Sequence, residues 1–528
     1  MLKSWSIENF KPIVNSGELK LAPVTVLAGL NSSGKTSLLQ SILMIAQTLS
    51  NPIADRPLIL NGPTVRLGTF EDVLSDFSTT RSITCAFELG EVYRSEEDLL
   101  STGESWNYKL KVQFSSANEN SASSAIEAAK VIVNNIAIEL IFESGHIEFA
   151  IGSGPLPVEE FFKHEIRDSF LFESITEKEL QQFLDDVAPE YLRMALYGRE
   201  RHNYLGECEL NEDLPSVDFP DNRIKEHFQV LATLAHFLPS HLIRKVQNDS
   251  LATSTHKNVL TTEYLTYLDG AVRQITSFFT YQVRYLGPLR FDPTTTQRQF
   301  SSGELDDVGS RGEHAALVYQ QNQLAEIKYY NPFSRKVEVA TLQVALDSWI
   351  RYLDVADQIR AEATGISDVI WKVVLKPEQN PRVLPDVGFG VSQVLPILVM
   401  GLLAPENTLL IIEQPELHLH PRVQARLGDF FVGLSKCSKQ CLIETHSENL
   451  VNQLRYHIVT AGGQEKSDCM IYFVNQDEKG AAQFEPVEIS PNGNILNWPS
   501  GFFDETMHQE DKITAESIRK RSKLAKDG

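Results

Sequence analysis

The sequence predicts an α/β fold in which a mixed sheet with flanking helices is interrupted by a large mixed, mainly helical insertion. Three observations predict it. Residues 24–37 read as a buried strand, a glycine-bounded turn and a helix. Leu409-Leu410-Ile411-Ile412-Glu413 is four aliphatics capped by an acid, and Cys441 to His446 is a strand ending in a histidine. Such near-continuous apolar runs are the form of strands buried on both faces. Between these groups, from about Pro157 to Phe279, the hydrophobic period becomes helical, as at Glu177 to Val187 and Ile224 to His236.

The first element is the phosphate loop. Gly29-Leu30-Asn31-Ser32-Ser33-Gly34-Lys35-Thr36 matches G-x-x-x-x-G-K-S/T in full. Gly29 and Gly34 let the backbone curl so that successive N–H groups point at one anion. The helix that follows adds its N-terminal partial positive charge. Lys35 is placed to reach the β- and γ-phosphates, and the Thr36 hydroxyl to ligate Mg²⁺. Val24, Val26 and Leu27 lead in as a strand, and Leu38, Leu39, Ile42, Leu43, Ile45, Ala46 and Leu49 follow at helical spacing. Asn31, Ser32, Ser33, Gly34, Lys35, Thr36 and Ser37 are therefore the candidate residues for binding a nucleoside triphosphate.

Around this loop the chain reads as follows. Ile7 to Lys11 and Leu19 to Pro23 are strand-like, and Val65 to Gly68 and Ile83 to Leu89 are short strand-like pieces. Ser101 to Ser124 is polar and contains a loop. Tyr108 to Phe114, Ile136 to Phe142 and His146 to Ile151 alternate and read as antiparallel strands. The helical block lacks sustained heptads, so no long coiled-coil arm is expected. Tyr285-Leu286-Gly287-Pro288-Leu289-Arg290 closes a strand-like run and marks the return to the core. Thr294 to Gly312 is polar and glycine-containing, a loop, and helices are expected around Glu313 to Leu324 and Thr341 to Asp357.

Composition narrows the setting. At 528 residues the chain holds two to four domains' worth of core, and 42% hydrophobic with 22% charged residues is ordinary for a soluble protein. No apolar run approaches the ~20 residues that span a bilayer, so no membrane partner is expected. Met1 to Ile7 lacks a basic region followed by a long apolar one, so no signal peptide is expected. Five scattered cysteines fit a reducing cytoplasm, with Cys437 and Cys441 read as small core residues. A net charge of −22 opposes broad wrapping by nucleic acid. The basic Arg519 to Lys523 is read as a solvated helix end.

The second half of the site begins at Glu413, an acid of the kind that holds Mg²⁺ directly or through water. Gln414-Pro415-Glu416-Leu417-His418-Leu419-His420-Pro421 follows it. Upstream, Asp386-Val387-Gly388-Phe389-Gly390-Val391-Ser392-Gln393 opens a helix running from Val394 to Leu403. In this order and spacing the segments resemble the ABC-type ATPase heads of the chromosome-maintenance and DNA-repair class. The likeness is greatest to the OLD-like branch of AAA-family ATPases, and it covers about residues 1–90 and 280–475. There a Gly-x-Gly-x-Ser-Gln element stands in for the signature loop.

The resemblance implies ATP and Mg²⁺ as ligands, with Thr36 and Glu413 on the metal. It implies that Gly388, Gly390 and Ser392 contact the γ-phosphate bound to a second subunit, and that Leu417 to Pro421 crosses the dimer interface. It makes His446 the switch histidine, close to the attacking water. Each site is then shared by two chains of a homodimer, or of a higher oligomer, tied to nucleotide occupancy. Glu413, Gln414, Glu416 and His446 are the candidate catalytic residues.

One departure matters. The family generally carries a catalytic glutamate where this chain has Gln414. A carboxamide orients water but is a very poor proton acceptor, so hydrolysis is expected to be slow, or Glu416 or His446 assists it. His418, His420 and His446 also raise the thought of a metal cluster, but an i/i+2 pair without flanking Cys or Asp is a weak zinc pattern.

OLD-family nucleases carry a nuclease domain after the ATPase. Here only about fifty residues follow Asn475, with no paired Asp-x-Asp on an apolar strand. The tail looks like the short module on stand-alone bacterial ATPases of this branch, several of which are ATPase halves of anti-phage systems. These include the Septu-type subunit that works with an HNH nuclease, sometimes alongside a retron with its reverse transcriptase and msDNA. The tail either packs on the head or docks a partner. The implied organisation is a head N-terminal lobe over 1–95, an insertion over 96–280, a head C-terminal lobe over 281–475 and a C-terminal module over 476–528. The implied function is an ATPase that regulates a partner effector nuclease in antiviral defence, with nucleic acid as a further partner. The alternatives are a DNA-repair or chromosome-type ATPase without a toxic partner and a transport ATPase. The large mixed insertion and the form of Gly388 to Gln393 argue against the transporter.

Overall fold

The computed structural model describes residues 1–52, 56–90, 108–116, 124–133, 136–143, 146–152, 228–236, 238–244, 266–291, 297–298, 307–364, 368–463, 468–497 and 512–517. In chain order, β1 (Leu2–Phe10), β2 (Ile13–Asn15), β3 (Leu19–Lys20) and β4 (Val24–Gly29) precede α1 (Lys35–Leu49) and α2 (Phe70–Val73). Then come β5 (Ser82–Leu89), β6 (Tyr108–Ser116), β7 (Ser124–Val133), β8 (Ile136–Glu143), β9 (His146–Gly152), β10 (Phe228–Ala235) and β11 (Leu238–Arg244). After α3 (Thr266–Tyr281) the chain runs through β12 (Val283–Leu286), β13 (Gln297–Arg298), α4 (Ala315–Asn322), β14 (Glu326–Asn331) and β15 (Lys336–Thr341). The last stretch is α5 (Leu342–Leu353), β16 (Gln358–Thr364), β17 (Asp368–Val374), β18 (Arg382–Val383), α6 (Phe389–Leu403), β19 (Leu409–Glu413), α7 (Pro421–Ser435), β20 (Gln440–Thr445), α8 (Glu448–Ala461), β21 (Cys469–Gln476) and β22 (Ala482–Pro486).

The chain divides into two compact units, and α1 runs from the second into the first. The first unit is residues 1–10, 17–20 and 44–281. It is an antiparallel sheet in the order β11-β10-β9-β8-β7-β6-β5-β1, with β3 also on β1. Alternation sets its faces: in β6 Tyr108, Leu110, Val112 and Phe114 are buried while Lys109 and Lys111 are exposed. Trp5 and Phe87 stack with ring centres 5.6 Å apart, and Phe279 of α3 meets both edge-on. Aromatic packing of this kind adds to the area it removes from water.

The expectation of helix from Ile224 to His236 is corrected here. Residues 228–235 are the strand β10, paired antiparallel with β9 and β11, and His236 turns the chain with φ 59°. The run Phe-Gln-Val-Leu-Ala-Thr-Leu-Ala suits either period, and ladder partners on both sides decide for the strand. The Glu177 to Val187 segment and Cys208 lie outside the described residues.

The second unit is residues 11–16, 21–43 and 282–528. Its central sheet has the order β12-β19-β20-β4-β21-β22, parallel throughout except for β22. All five residues of β19 and all six of β20 are buried, as a parallel sheet covered on both faces requires. The core beside it contains Tyr319, Trp349, Ile397, Leu398, Phe430, Phe431 and Leu454. α5 takes its N-cap from Thr341, whose hydroxyl accepts from the Val344 amide, and α8 is capped likewise by Ser447 on Leu450. A small sheet, β13-β17-β16 with β18 on β17, and the β14–β15 ribbon complete the unit. In chain order the ribbon lies between α4 and α5, and the β16–β17 pair between α5 and α6.

Cys437, Cys441 and Cys469 are buried cysteines of this unit outside any disulfide, and Cys85 is one of the first. Among the described residues no helix is long and apolar enough to cross a membrane.

Candidate nucleotide site

The parallel strands β12, β19, β20, β4 and β21 carry their C-terminal ends along one edge. In an open α/β sheet that edge is where ligands are held. Register aligns the edge residue by residue: Glu413 lies beside Glu444, Glu444 beside Leu27, Thr445 beside Ala28, and Val474 beside Gly29.

The phosphate loop leaves β4 at Gly29 with φ 146°, passes Ser32 at φ 59° and enters α1 through Gly34 at φ 105°. Leu30, Asn31 and Ser32 are exposed, whereas Ser33, Gly34 and Lys35 are buried. The Lys35 ammonium is folded back under the loop. It donates to the carbonyls of Leu30 at 2.6 Å and Gly29 at 3.2 Å, and to the Ser33 hydroxyl at 3.4 Å. Burial lowers its pKa, and the carboxylates of Glu444 and Glu416 pull it back up.

The outer wall of the loop comes from β21 and β22. Gln476 donates its side-chain amide to the Ser32 carbonyl at 3.0 Å. A Cβ on Gly34 would stand 2.6 Å from the Ala482 Cβ, and one on Gly29 would collide with the Val474 carbonyl. The glycines therefore serve close packing as well as curvature.

The Thr36 hydroxyl sits on Glu444, 2.9 and 2.8 Å from its two carboxylate oxygens. Burial raises the pKa of Glu444, while the Thr36 bond and Lys35 oppose the rise. Glu413, one strand over, accepts instead from the Tyr285 hydroxyl at 2.8 Å. Burial pushes the Glu413 carboxyl up from 4.5 to about 7, with Glu444 adding to the effect. Tyr285 is pushed up in turn, by burial first and then by Glu413.

Behind Glu413, the buried Arg290 gives one hydrogen bond, from Nη2 to the Glu413 carbonyl at 3.1 Å, and its Nε and Nη1 have no partner. Burial lowers its pKa to about 10. Sequence reasoning assigned no role to Glu444, Tyr285 or Arg290. The signals available were the acid two residues before His446 and a charged residue closing the Gly-Pro turn after β12.

Gln414 follows Glu413 in the left-handed region, φ 44°, its amide donating to the Glu444 carbonyl at 2.7 Å. Backbone held there by surrounding bonds is a recurrent feature of functional sites. Glu416 turns inward, accepting from the His446 amide at 2.6 Å and the Thr445 hydroxyl at 2.8 Å. Burial raises its pKa against these bonds. His446 is half-buried, and burial and then Lys35 lower its pKa, while a hydrogen bond with the Gly29 backbone opposes them. The structure thus brings Lys35, Thr36, Glu413, Glu416 and His446 to one edge.

His418 and His420 diverge from this group. His418, at φ 60°, leans on Phe389 with ring centres 6.2 Å apart, and His420 is the N-cap of α7, accepting from the Arg422 amide. Among the described residues no group of three or more His, Cys, Asp or Glu is arranged to hold a metal ion. The donors at Thr36 are its own hydroxyl and the Glu444 carboxylate, with Glu413 on the adjacent strand. They fit Mg²⁺, which takes one or two carboxylates and fills its octahedron with phosphate and water.

Gly388, Gly390 and Ser392 lie at the start of α6. Gly388 is the N-cap without a side-chain bond, Phe389 is 60% exposed, and the buried Ser392 hydroxyl donates to the Phe389 carbonyl at 2.7 Å. A Cβ on Gly388 would meet nothing within 4 Å, so nothing among the described residues demands glycine there.

The charge of Glu413 has a consequence for stability. A carboxyl that keeps its proton to about pH 7 when folded, but to 4.5 when unfolded, makes the folded chain the better proton binder between those values. Stability therefore falls as pH rises through that window, by about 3 kcal/mol for this group. Glu413→Gln keeps the acceptor for Tyr285 and removes the charge. It is expected to unfold at higher urea than the parent at pH 8, by roughly 1–3 kcal/mol, with the difference gone by pH 5. An equal difference at both pH values would refute this account.

Residues 323–452 match the family described as AAA domain, putative AbiEii toxin, Type IV TA system. Residues 465–513 match a family described as a protein of unknown function, DUF3696. No curated protein matches the chain. Solved structures similar to it include the SMC head domain from Thermotoga maritima, at 10% identity over 92% of this chain and 99% of that one, TM-score 0.36. An SmcHead bound to the C-winged helix domain of ScpA shares 8% identity over 92% and 98%, TM-score 0.37. The Smc head domain with an extended coiled coil bound to the C-terminal domain of ScpA, derived from Pyrococcus furiosus, shares 9% over 97% and 99%, TM-score 0.34. The AAA match spans α6, β19 and β20, and the fold of the unit that holds it is mixed α/β.

Proposed function

We propose that this chain is an ATP-binding, slowly hydrolysing ABC-type ATPase that pairs head to head around nucleotide and regulates a partner effector nuclease in anti-phage defence. One observation carries the ATPase part: Lys35, Thr36 and the carboxylates of Glu413, Glu416 and Glu444 converge on one sheet edge beside a complete phosphate loop. Bound Mg²⁺ would supply charge neutralisation at the phosphates, with Thr36 and the neighbouring carboxylates as its protein ligands. Lys35 binds the phosphate tail and the loop amides orient it. His446, lowered toward its neutral form, is a hydrogen-bond partner for water at the γ-phosphate.

Pairing is supported by the start of α6. Its uncapped first turn, the open surface at Gly388 and the exposed Phe389 suit contact with a second copy's nucleotide. The description of the matched AAA family as a putative toxin of a toxin–antitoxin system supports a defence setting, as does the resemblance to Septu-type subunits. An HNH nuclease, a reverse transcriptase or a nucleic acid would then be the partner. Purifying the protein with its genomic neighbours, with and without ATP, tests this: a nuclease that co-elutes in an ATP-dependent way supports control of a partner. Neighbours that are repair enzymes, with no nuclease captured, would favour the repair reading.

Slow turnover follows from Gln414, which comes directly after the last residue of β19 and has no proton-accepting group. Gln414→Glu is expected to raise kcat at least 10-fold, since general-base catalysis is typically worth ~10²–10⁴. Brisk turnover by the parent that this change does not raise would overturn the assignment.

A further inference from the structure

A carboxylate in a phosphate cradle needs an explanation. Glu444 is 3% exposed and points both its oxygens at Thr36, the first hydroxyl of the helix that receives the phosphates. A negative group at that point repels a triphosphate, and weak screening inside a protein makes the repulsion larger than in water. Lys35 acts on it electrostatically but spends its own hydrogen bonds on the loop carbonyls and Ser33. A cation standing between carboxylate and phosphate turns this repulsion into attraction on both sides.

The hydroxyl of a phosphate-loop Thr is the group that meets the nucleotide's divalent cation. Glu444 already lies within one bond of that hydroxyl. Glu413, the acid at the end of the adjacent strand, is turned to Tyr285. Resting on the reading of this edge as a Mg·ATP site, we infer that Glu444, together with Thr36, is the protein's principal carboxylate contact to that cation, directly or through one water. The backbone supports the placement. β20 is clamped between β19 and β4, and the Gln414 amide holds the Glu444 carbonyl at 2.7 Å, so the carboxylate projects from a rigid strand end rather than a loop.

The test separates metal contact from mere structure by the sign of the effect. Binding of a fluorescent ATP analogue is titrated into the full chain and into Glu444→Gln, in Mg²⁺ and in EDTA. With Mg²⁺ the variant is expected to bind at least 10-fold more weakly than the parent. In EDTA it is expected to bind as well or better, because a repelling charge has been removed. A variant that keeps the parent's full gain from Mg²⁺ overturns the inference while leaving the nucleotide site standing, as does an equal loss in both buffers. A parent that binds no nucleotide at all brings down the site reading itself.

Should Glu444→Gln not fold, Glu444→Asp decides by the same titration. It keeps the charge and withdraws it by one methylene, so a smaller gain from Mg²⁺ with EDTA binding intact is expected, and an undiminished gain refutes the contact. Electron paramagnetic resonance of Mn²⁺ added with ATP gives a second readout. The Mn²⁺ spectrum in the bound complex is expected to change between parent and Glu444→Gln, and identical spectra count against coordination.

Discussion

Replacing Lys35 by alanine is expected to weaken ATP binding by roughly 100-fold or more and to remove turnover, with the fold intact. The magnitude follows from what the ammonium does. Buried and aimed along the loop, it is the one loop side chain that carries full positive charge, and truncating one partner of a desolvated charge pair costs about 2–5 kcal/mol in binding. In the free chain it satisfies itself on the Gly29 and Leu30 carbonyls. Losing those bonds while relieving a buried cation leaves stability within about 2 kcal/mol of the parent. Titration with a fluorescent ATP analogue beside circular dichroism checks both halves. Normal hydrolysis by the variant would end the assignment.

Gly29→Ala is expected to be the most damaging single-atom change in the second unit. Gly29 pairs with Val474 in the parallel ladder between β4 and β21, at φ 146°. A methyl group there would enter the Val474 carbonyl, a backbone atom that cannot swing aside, in a conformation L-residues rarely adopt. Relief requires β21 to part from β4, which opens the ladder and the wall that Gln476 and Ala482 make for the loop. The cost is at least ~3 kcal/mol, in the range of severe backbone and overpacking strain. Urea unfolding should show a lower midpoint, with nucleotide affinity falling alongside. A variant as stable as the parent would mean that the two strands separate freely.

The two predictions treat the same loop differently, and the difference shows how far the sequence reaches. Lys35 was legible from eight consecutive residues, because the chemistry of phosphate binding and the turn that serves it are both local. Gly29 was legible as a glycine of that turn. Its closest constraint is a carbonyl more than four hundred residues away in sequence, which no local pattern contains. The strands β4, β19 and β20 were equally readable, since burial on both faces writes itself as aliphatic runs. The strand β10 was misread as helix because its periodicity is ambiguous and its hydrogen-bond partners lie elsewhere in the chain. Short pieces such as β16, β17 and the β14–β15 ribbon were passed over for the same reason: a strand is defined by its neighbours.

The acids divide in the same way. Glu413 was identified as the end of an acid-capped strand, and Glu416 and His446 came with the motifs around them. Glu444 sat in plain view in Cys441 to Ser447 and drew no role, because a lone acid in a strand has no meaning until its neighbour is known. Arg290 and Tyr285 close on Glu413 from β12 and the turn after it, again across a long stretch of chain.

What the sequence determined by itself was the glycine-bounded turn between β4 and α1, the alternation of buried strand and helix, and the residue types available for chemistry. These depend on contacts within a few residues, where periodicity and backbone sterics act. What only the tertiary structure decided was which carboxylate faces Thr36, which glycines are demanded by packing, and which apolar segments pair as strands. Those outcomes depend on strand order and register, which bring distant residues within hydrogen-bonding distance, and a single position's identity carries no record of which neighbour it will meet.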